Sequence, residues 1–164
     1  MANRLQHVFD TAEINVLNQM ASKYYDLGEY KKTEQYAEQA KHKSEGLNFL
    51  PGLSESLNTL GIVYGIKSNY PKAMEFLLEA MDVSEKMKDG LMISKSLLNL
   101  SKMYKNQTDF AKAIETSFKA LKISESRKDA KMIALSFEAI GNVYFYLGWN
   151  LYFLKFKTSS SSKS

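Results

Sequence analysis

The feature that most constrains the fold is an internal repeat, because the chain matches itself at an offset of 40 residues without a gap. Four sets of positions match in all four copies: Leu17, Leu57, Leu97 and Phe137; Met20, Leu60, Leu100 and Ile140; Ala21, Gly61, Ser101 and Gly141; and Tyr24, Tyr64, Tyr104 and Tyr144. Others match in three copies: Thr33, Ala73 and Ala113; Ala40, Ala80 and Ala120; and Ser44-Glu45, Ser84-Glu85 and Ser124-Glu125. A fixed period of this kind indicates repeated units that stack and share one core.

Within a copy, two apolar stripes with helical spacing are separated by a break. The first stripe of the second copy lies at i, i+3, i+4 and i+7, and it consists of Leu57, Leu60, Gly61 and Tyr64. The second stripe consists of Ala73, Leu77 and Ala80. Between them, "KSNYP" offers Asn69 as an N-cap and Pro71 for the first turn of the next helix.

Each copy therefore predicts a helix, a tight turn and a second, antiparallel helix. Later N-caps are predicted at Asp89, Asp109 and Asp129. The predicted helices cover about 10–27, 30–47, 52–67, 70–88, 90–106, 110–127 and 130–147. Gly61 and Ala73 would let the two helices of a pair approach closely, and Ala113 would do the same in the third copy.

This pattern resembles the tetratricopeptide repeat, whose basic length is 34 residues. The matching residues are Leu57, Leu60, Gly61, Tyr64, Tyr70, Ala73, Leu77 and Ala80 in the second copy, and Leu97, Leu100, Ser101, Tyr104, Phe110, Ala113, Ser117 and Ala120 in the third. Two departures are the Leu or Phe at the first signature position, usually Trp, and the missing Pro at the end of the repeat. The 40-residue copies are similar to the repeats of kinesin light chains, of Rap-type bacterial regulators and of helical segments in some bacterial signalling proteins. The resemblance implies an all-α, right-handed solenoid of helix pairs.

The repeat defines one domain, residues 1–148, followed by a divergent C-terminal segment, residues 149–164, with a Ser-rich tail. The copies cover about 10–49, 50–89, 90–129 and, in part, 130–148. Three interpretations of the segment stay open: a divergent capping helix, an association surface, or the altered end of a fragment from a longer array. We favour an association surface that is covered by a partner or by a second copy of the chain, formed by Trp149, Leu151, Tyr152 and Phe153.

Composition argues against several functions. The net charge is +4 and the pI is near 9.0, but charges alternate in sign and only two Arg occur, so we predict no nucleic-acid partner. The chain has no Cys and its two His lack ligand spacing, so we expect no metal, no cofactor and no catalysis. Neither a signal peptide nor a membrane span is apparent, and we expect a cytoplasmic location.

The resemblance also implies that the first helices of the pairs line a concave groove. Groove candidates are Asn15, Asn18, Asn58, Lys95, Lys102, Lys105 and Asn142. Asn can hold a peptide backbone and Lys can neutralise a carboxylate, so an acidic peptide is one expected ligand; solvated surface lysines are the other interpretation. The Lys–Asn carboxylate clamp of chaperone-binding family members does not match, because Asn18 and Ser22 stand where Lys and Asn would be needed.

The function predicted from these residues is a non-catalytic scaffold that binds a protein or peptide. The alternative is a sensor or regulatory segment of a larger signalling protein whose output domain lies outside this chain.

Overall fold

The computed structural model describes the backbone of residues 2–161 and the side chains of residues 10–152, and this part of the chain folds into helices without a strand. The helices are α1 (Ala2–Asp26), α2 (Tyr30–Leu47), α3 (Leu50–Ile66), α4 (Tyr70–Lys86), α5 (Gly90–Asn106), α6 (Phe110–Ser126) and α7 (Ala130–Ser161). The predicted bounds of α2 to α6 are confirmed to within two residues. None of the described helices has both the length and the apolar character needed to cross a bilayer.

Turns placed every 20 residues set the helix ends. In each turn one residue adopts the left-handed conformation, with φ from 52° to 74°: Gly28, Asn48, Ser68, Lys88, Thr108 and Lys128. In a representative turn, the amide of Ser68 donates to the carbonyl of Gly65 (3.0 Å) and the amide of Asn69 donates to that of Tyr64 (2.9 Å). These two bonds form the Schellman motif that satisfies the last carbonyls of a helix. Two such turns account for the 40-residue period.

The predicted N-caps are confirmed. A side-chain oxygen accepts from first-turn amides in each case, at Asn69, Asp89, Asp109 and Asp129. The amide and the ammonium of Lys112 both donate to the carboxylate of Asp109, and they hold its pKa below the usual range.

The closest approach within a pair lies at the small positions, as predicted. A Cβ on Gly61 would lie 2.5 Å from Cγ of Leu77 and 3.2 Å from the carbonyl oxygen of Ala73. In the third copy Ser101 replaces the glycine, and its hydroxyl donates to the carbonyl of Ala113 across 2.8 Å. The helices of a pair therefore meet with almost no side-chain volume between them.

The pairs stack into a solenoid. The helices pair as α1 with α2, α3 with α4 and α5 with α6, and each second helix packs on the next first helix. The first helices also contact one another, from α1 to α3, α3 to α5 and α5 to α7, so they share one side of the stack. The buried core follows the repeat and includes Leu17, Leu57, Leu60, Leu77, Leu97, Leu100 and Met103.

Buried serines join neighbouring helices at an equivalent place in successive copies. The hydroxyls of Ser54 and Ser84 are 2.7 Å apart, and those of Ser94 and Ser124 are 3.4 Å apart. In the first copy Ile14 stands where the later copies have Ser54 and Ser94, so the buried hydroxyl of Ser44 has no partner. An unpaired buried hydroxyl costs free energy, whereas a paired one does not.

The fourth copy departs from the others, because α7 continues through Gly148 instead of turning. Trp149 occupies the N-cap position of Asn69 and Asp109 and has no acceptor atom in its side chain. In the part of the chain that the structure describes, no helix pairs with α7 as α4 pairs with α3, and two residues aligned with core positions are exposed: Phe137 is 56% exposed and Tyr144 is 52% exposed. The expectation that both lie in the core is therefore wrong.

The serine pairs give a test of the repeat register. We expect Ser84→Ala to lower the free energy of unfolding by about 1 kcal/mol, because it removes a buried hydrogen bond. Ser44→Ala is expected to leave stability unchanged or to raise it, since its hydroxyl is already unpaired. Urea denaturation of both variants measures the difference, and an equal loss in the two would contradict the assigned contacts.

Candidate binding groove

A cleft of about 690 Å³ opens on the side of the solenoid where the first helices meet. It lies between α3, α5 and α7. Apolar lining residues include Ile62, Leu91, Met92, Leu98, Met132, Leu135, Ala139 and Val143. Charged lining residues are Lys95, Lys102, Lys105 and Lys131 together with Glu55, Glu138 and Asp129. The cleft thus combines apolar surface with more basic than acidic groups.

The lysines of α5 line the cleft because they lie seven and three residues apart on one helical stripe. Lys95 and Lys102 are exposed, and neither has an ion-pair partner among the described side chains. The ammonium of Lys105 lies 4.2 Å from the ring centroid of Tyr146 on α7, which is cation–π geometry. Two lysines are therefore free to meet a ligand, and the third also ties α5 to α7.

Asn58 lies at the cleft but is committed to a buried network. Its amide nitrogen donates to the carbonyl of Ser54 (3.0 Å) and to the hydroxyl of Ser96 (2.9 Å). Its side-chain oxygen accepts from the amide of Asn99 across 3.1 Å. Both of its N–H donors are used, so Asn58 positions α3 against α5 and is not free to hold a peptide backbone.

Asn99 is a cleft residue that the sequence prediction missed. It is half-buried, and it links the cleft surface to the buried amide of Asn58. Its spacing from Lys95 and Lys102, four and three residues, places it on the same stripe and could have indicated it. The repeat alignment did not indicate a binding role for Asn99, because the aligned residues share no side-chain chemistry with one another: Gln19, Thr59 and Ala139.

Two predicted groove residues lie elsewhere. Asn18 is only 1% exposed, and its amide donates to the carbonyl of Gly52 across 3.1 Å. The close approach of α1 and α3 explains this, since a Cβ on Gly52 would lie 2.5 Å from Ile14. Asn15 is exposed on α1 but does not line the cleft, whereas Asn142 is exposed and lines it.

The predicted association surface is exposed where the structure describes it. Trp149, Leu151 and Tyr152 are 65%, 60% and 68% exposed on α7. The side chain of Phe153 lies outside the described residues.

The described side chains contain no cluster of three or more His, Asp or Glu that could hold a metal ion.

The geometry and the period agree with a comparison against protein families. A family model described as a tetratricopeptide repeat matches residues 53–87, which span α4 and most of α3. The match supports the assignment to tetratricopeptide repeats that the sequence pattern predicted, and it covers one helix pair of the chain. Repeats of this family generally mediate protein–protein interactions. A search of curated proteins finds no match.

Solved structures with the same fold share little sequence with this chain. Aspartyl phosphate phosphatase F from Bacillus subtilis matches 92% of the chain with a TM-score of 0.76 and 15% identity. BtubC (BKLC) from P. vanneervenii matches 82% of the chain with a TM-score of 0.71 and 20% identity. A signal transduction ATPase with numerous domains from Pyrococcus horikoshii, which has a tetratricopeptide repeat sensor, matches 84% with a TM-score of 0.69 and 19% identity.

The chain spans only part of each of these proteins. It covers 40% of the phosphatase, 56% of BtubC and 22% of the ATPase. At these identities the likeness shows the fold alone, that of an all-α helical repeat solenoid.

The network around Asn58 predicts that replacing Asn58 destabilises the protein more than replacing Asn142, another asparagine of the cleft. Asn58→Ala should lower the free energy of unfolding by about 2 kcal/mol, because Ser96 and Asn99 lose their buried partner. Asn142→Ala should change it by less than about 0.5 kcal/mol, since Asn142 is exposed. Chemical denaturation measures both values. Similar stability of the two variants would contradict a structural role for Asn58.

Proposed function

We propose that the chain is a non-catalytic protein-interaction module and that its cleft binds a peptide segment of a partner protein. The observation that carries the proposal is the cleft of about 690 Å³ between α3, α5 and α7, with its apolar lining and its unpaired lysines. Concave apolar surface with a few convergent polar groups is the usual form of a binding site.

The lining suggests the chemistry of the ligand. Ile62, Leu98 and Leu135 offer contacts for one or two apolar side chains. Lys95 and Lys102 would attract a carboxylate on the same segment. Glu55 and Glu138 also line the cleft, and they would repel a uniformly acidic peptide. We therefore propose a ligand with apolar anchors and a small number of Asp or Glu residues that face α5.

A catalytic role has little support in this cleft. The residues that line it include neither His nor Cys. Its one serine, Ser101, has its hydroxyl committed to the carbonyl of Ala113 and to the hydroxyl of Ser117. We propose that the module acts by binding alone, on a protein and not on nucleic acid, and that it does so in the cytoplasm.

A second candidate is a sensor or regulatory segment of a larger signalling protein. Two structures of similar fold favour it: a phosphatase of which the chain covers 40%, and a signal transduction ATPase with a repeat sensor of which it covers 22%. On this hypothesis the same cleft would bind the signal or the output domain.

The role of the lysines can be tested with peptides selected from a random library on the wild-type protein. We expect selected peptides to combine apolar residues with Asp or Glu. A triple Lys→Ser variant at positions 95, 102 and 105 should bind them about tenfold more weakly at low salt, because each exposed ion pair contributes about 0.2–1 kcal/mol. Higher salt should reduce this difference in affinity between the wild type and the variant, because salt screens exposed ion pairs.

A matched control removes the same charge elsewhere. Lys86, Lys88 and Lys122 are exposed and do not line the cleft. Their triple Lys→Ser variant should keep the affinity of the wild type. Equal losses in both variants would indicate a general charge effect, and no loss in the first would exclude the α5 lysines from the binding site.

We also propose that residues 149–153 of α7 join two copies of the chain through Trp149, Leu151, Tyr152 and Phe153. The support is the exposure of three large side chains within four residues, since exposed apolar patches mark association surfaces.

Sedimentation tests this second surface. We expect the wild type to form a dimer at micromolar concentration, and a variant with Ser at positions 149, 151 and 152 to be a folded monomer. A wild type that sediments as a monomer throughout this range would contradict the proposal.

A further inference from the structure

One side of α7 is left open although the repeat assigns it a partner. We call it the open face, and it consists of Phe137, Gly141, Tyr144 and Gly148. The aligned residues of α3 include Leu57 and Gly61, which are fully buried in the helix pair. On α7, nothing lies within 4 Å of a Cβ placed on Gly141 or on Gly148. The open face shares no residue with the lining of the cleft.

The complete copies show what fills this position. Beside Gly61 lie the side chain of Leu77 and the backbone of Ala73, both on α4. The aligned third-copy pair, Ser101 and Ala113, is joined by a hydrogen bond of 2.8 Å. In the second and third copies the position therefore accepts a helix that presents Ala at the closest approach, followed four residues later by Leu or Ser, whereas the first copy has Thr33 and Ala37 at these places.

A lysine next to that small residue recurs as well. The ammonium groups of Lys32, Lys72 and Lys112 lie 5.0, 4.3 and 5.5 Å from the ring centroids of Tyr24, Tyr64 and Tyr104. Lys72 also donates to the hydroxyl of Tyr64 across 2.9 Å. Tyr144 is the aligned tyrosine of the fourth copy, and no described lysine lies over its ring.

We propose that the open face binds an amphipathic helix of a partner protein. This helix contains Lys-Ala, a Leu or Ser four residues after that Ala, and a second Ala seven residues after it. This helix would complete the fourth pair as α4 completes the second. Its Ala would lie against Gly141 and its Lys over Tyr144. The site is separate from the cleft and goes beyond the function proposed above.

A second copy of α7 is a poorer match for the open face. The described chain has Lys-Ala at Lys72-Ala73, Lys112-Ala113 and Lys119-Ala120. Only the first two are followed by the rest of this pattern, and all three alanines are already buried. The open face of another α7 would bring Phe137 and Tyr144 towards Gly141. Large side chains at such a contact prevent the close approach that the equivalent glycine allows at α4.

The probe is a synthetic peptide of residues 68–88 of this chain, which contains α4. A covalent bridge between positions 75 and 79, both exposed on α4, keeps it helical, and circular dichroism verifies this. Trp149 is the only tryptophan of the chain and lies one turn beyond Tyr144 and Phe145, so its fluorescence reports binding. We expect a saturable change with one peptide bound per chain.

The decisive variant is Gly141→Leu. The fold has room for the new side chain, and Leu favours a helix more than Gly does, so the melting temperature should stay the same or rise. Peptide affinity should fall by about tenfold or more, because the close approach is blocked. Gly61→Leu is the matched control: the same substitution there meets Leu77 and should lower the melting temperature.

Two further binding measurements distinguish this site from the cleft proposed above. The triple Lys→Ser variant of α5 should bind the α4 peptide as the wild type does, and a peptide with Ala73→Phe should bind more weakly. The proposal is overturned if the helical peptide does not bind, or if Gly141→Leu binds it as tightly as the wild type. It is also overturned if the wild type self-associates and Gly141→Leu alone makes it a monomer, because a second copy would then occupy the face.

Discussion

The structure depends on one contact, the close approach of the two helices in each pair. At Gly61 the contact leaves no room for a side chain, and at Ser101 it admits only a hydroxyl that bonds the facing carbonyl of Ala113. Turns at 20-residue intervals bring successive helices into this contact with the same geometry. Because each pair buries only part of its apolar surface, the next pair must cover the rest, and a stacked solenoid follows.

The cleft is a consequence of the same stacking. The first helices contact one another along one side, and there the stripe of Lys95, Asn99 and Lys102 lines the cleft between α3, α5 and α7. The polar network of Asn58 fixes α3 against α5 beneath this surface. The repeat thus supplies a rigid frame, while the residues that it leaves variable supply the binding chemistry. Where the pairing stops, at α7, the contact residues become a second exposed surface.

Much of the fold could be predicted from the sequence, because small residues, tyrosines and capping residues recur at fixed spacing. The bounds of α2 to α6, the caps at Asp89 and Asp129 and the contact at Ala73 are confirmed, whereas α1 begins earlier and α7 ends later than predicted. The period alone could not show that Phe137 and Tyr144 are exposed, since their burial depends on a helix that α7 lacks. Nor could it show that Asn18 turns inward, because this follows from the close approach of α1 at Gly52.

Hydroxyl-radical footprinting of the four aligned tyrosines tests the central claim, which is that the pair contact recurs in three copies and ends at α7. The measurement uses the isolated chain at a concentration at which it is a monomer. Tyr24, Tyr64 and Tyr104 are half-buried in complete pairs, and Tyr144 is 52% exposed. We expect Tyr144 to be modified faster than each of the other three. Protection of Tyr144 equal to that of Tyr64 and Tyr104 would contradict the account, because a helix would then already cover the fourth position.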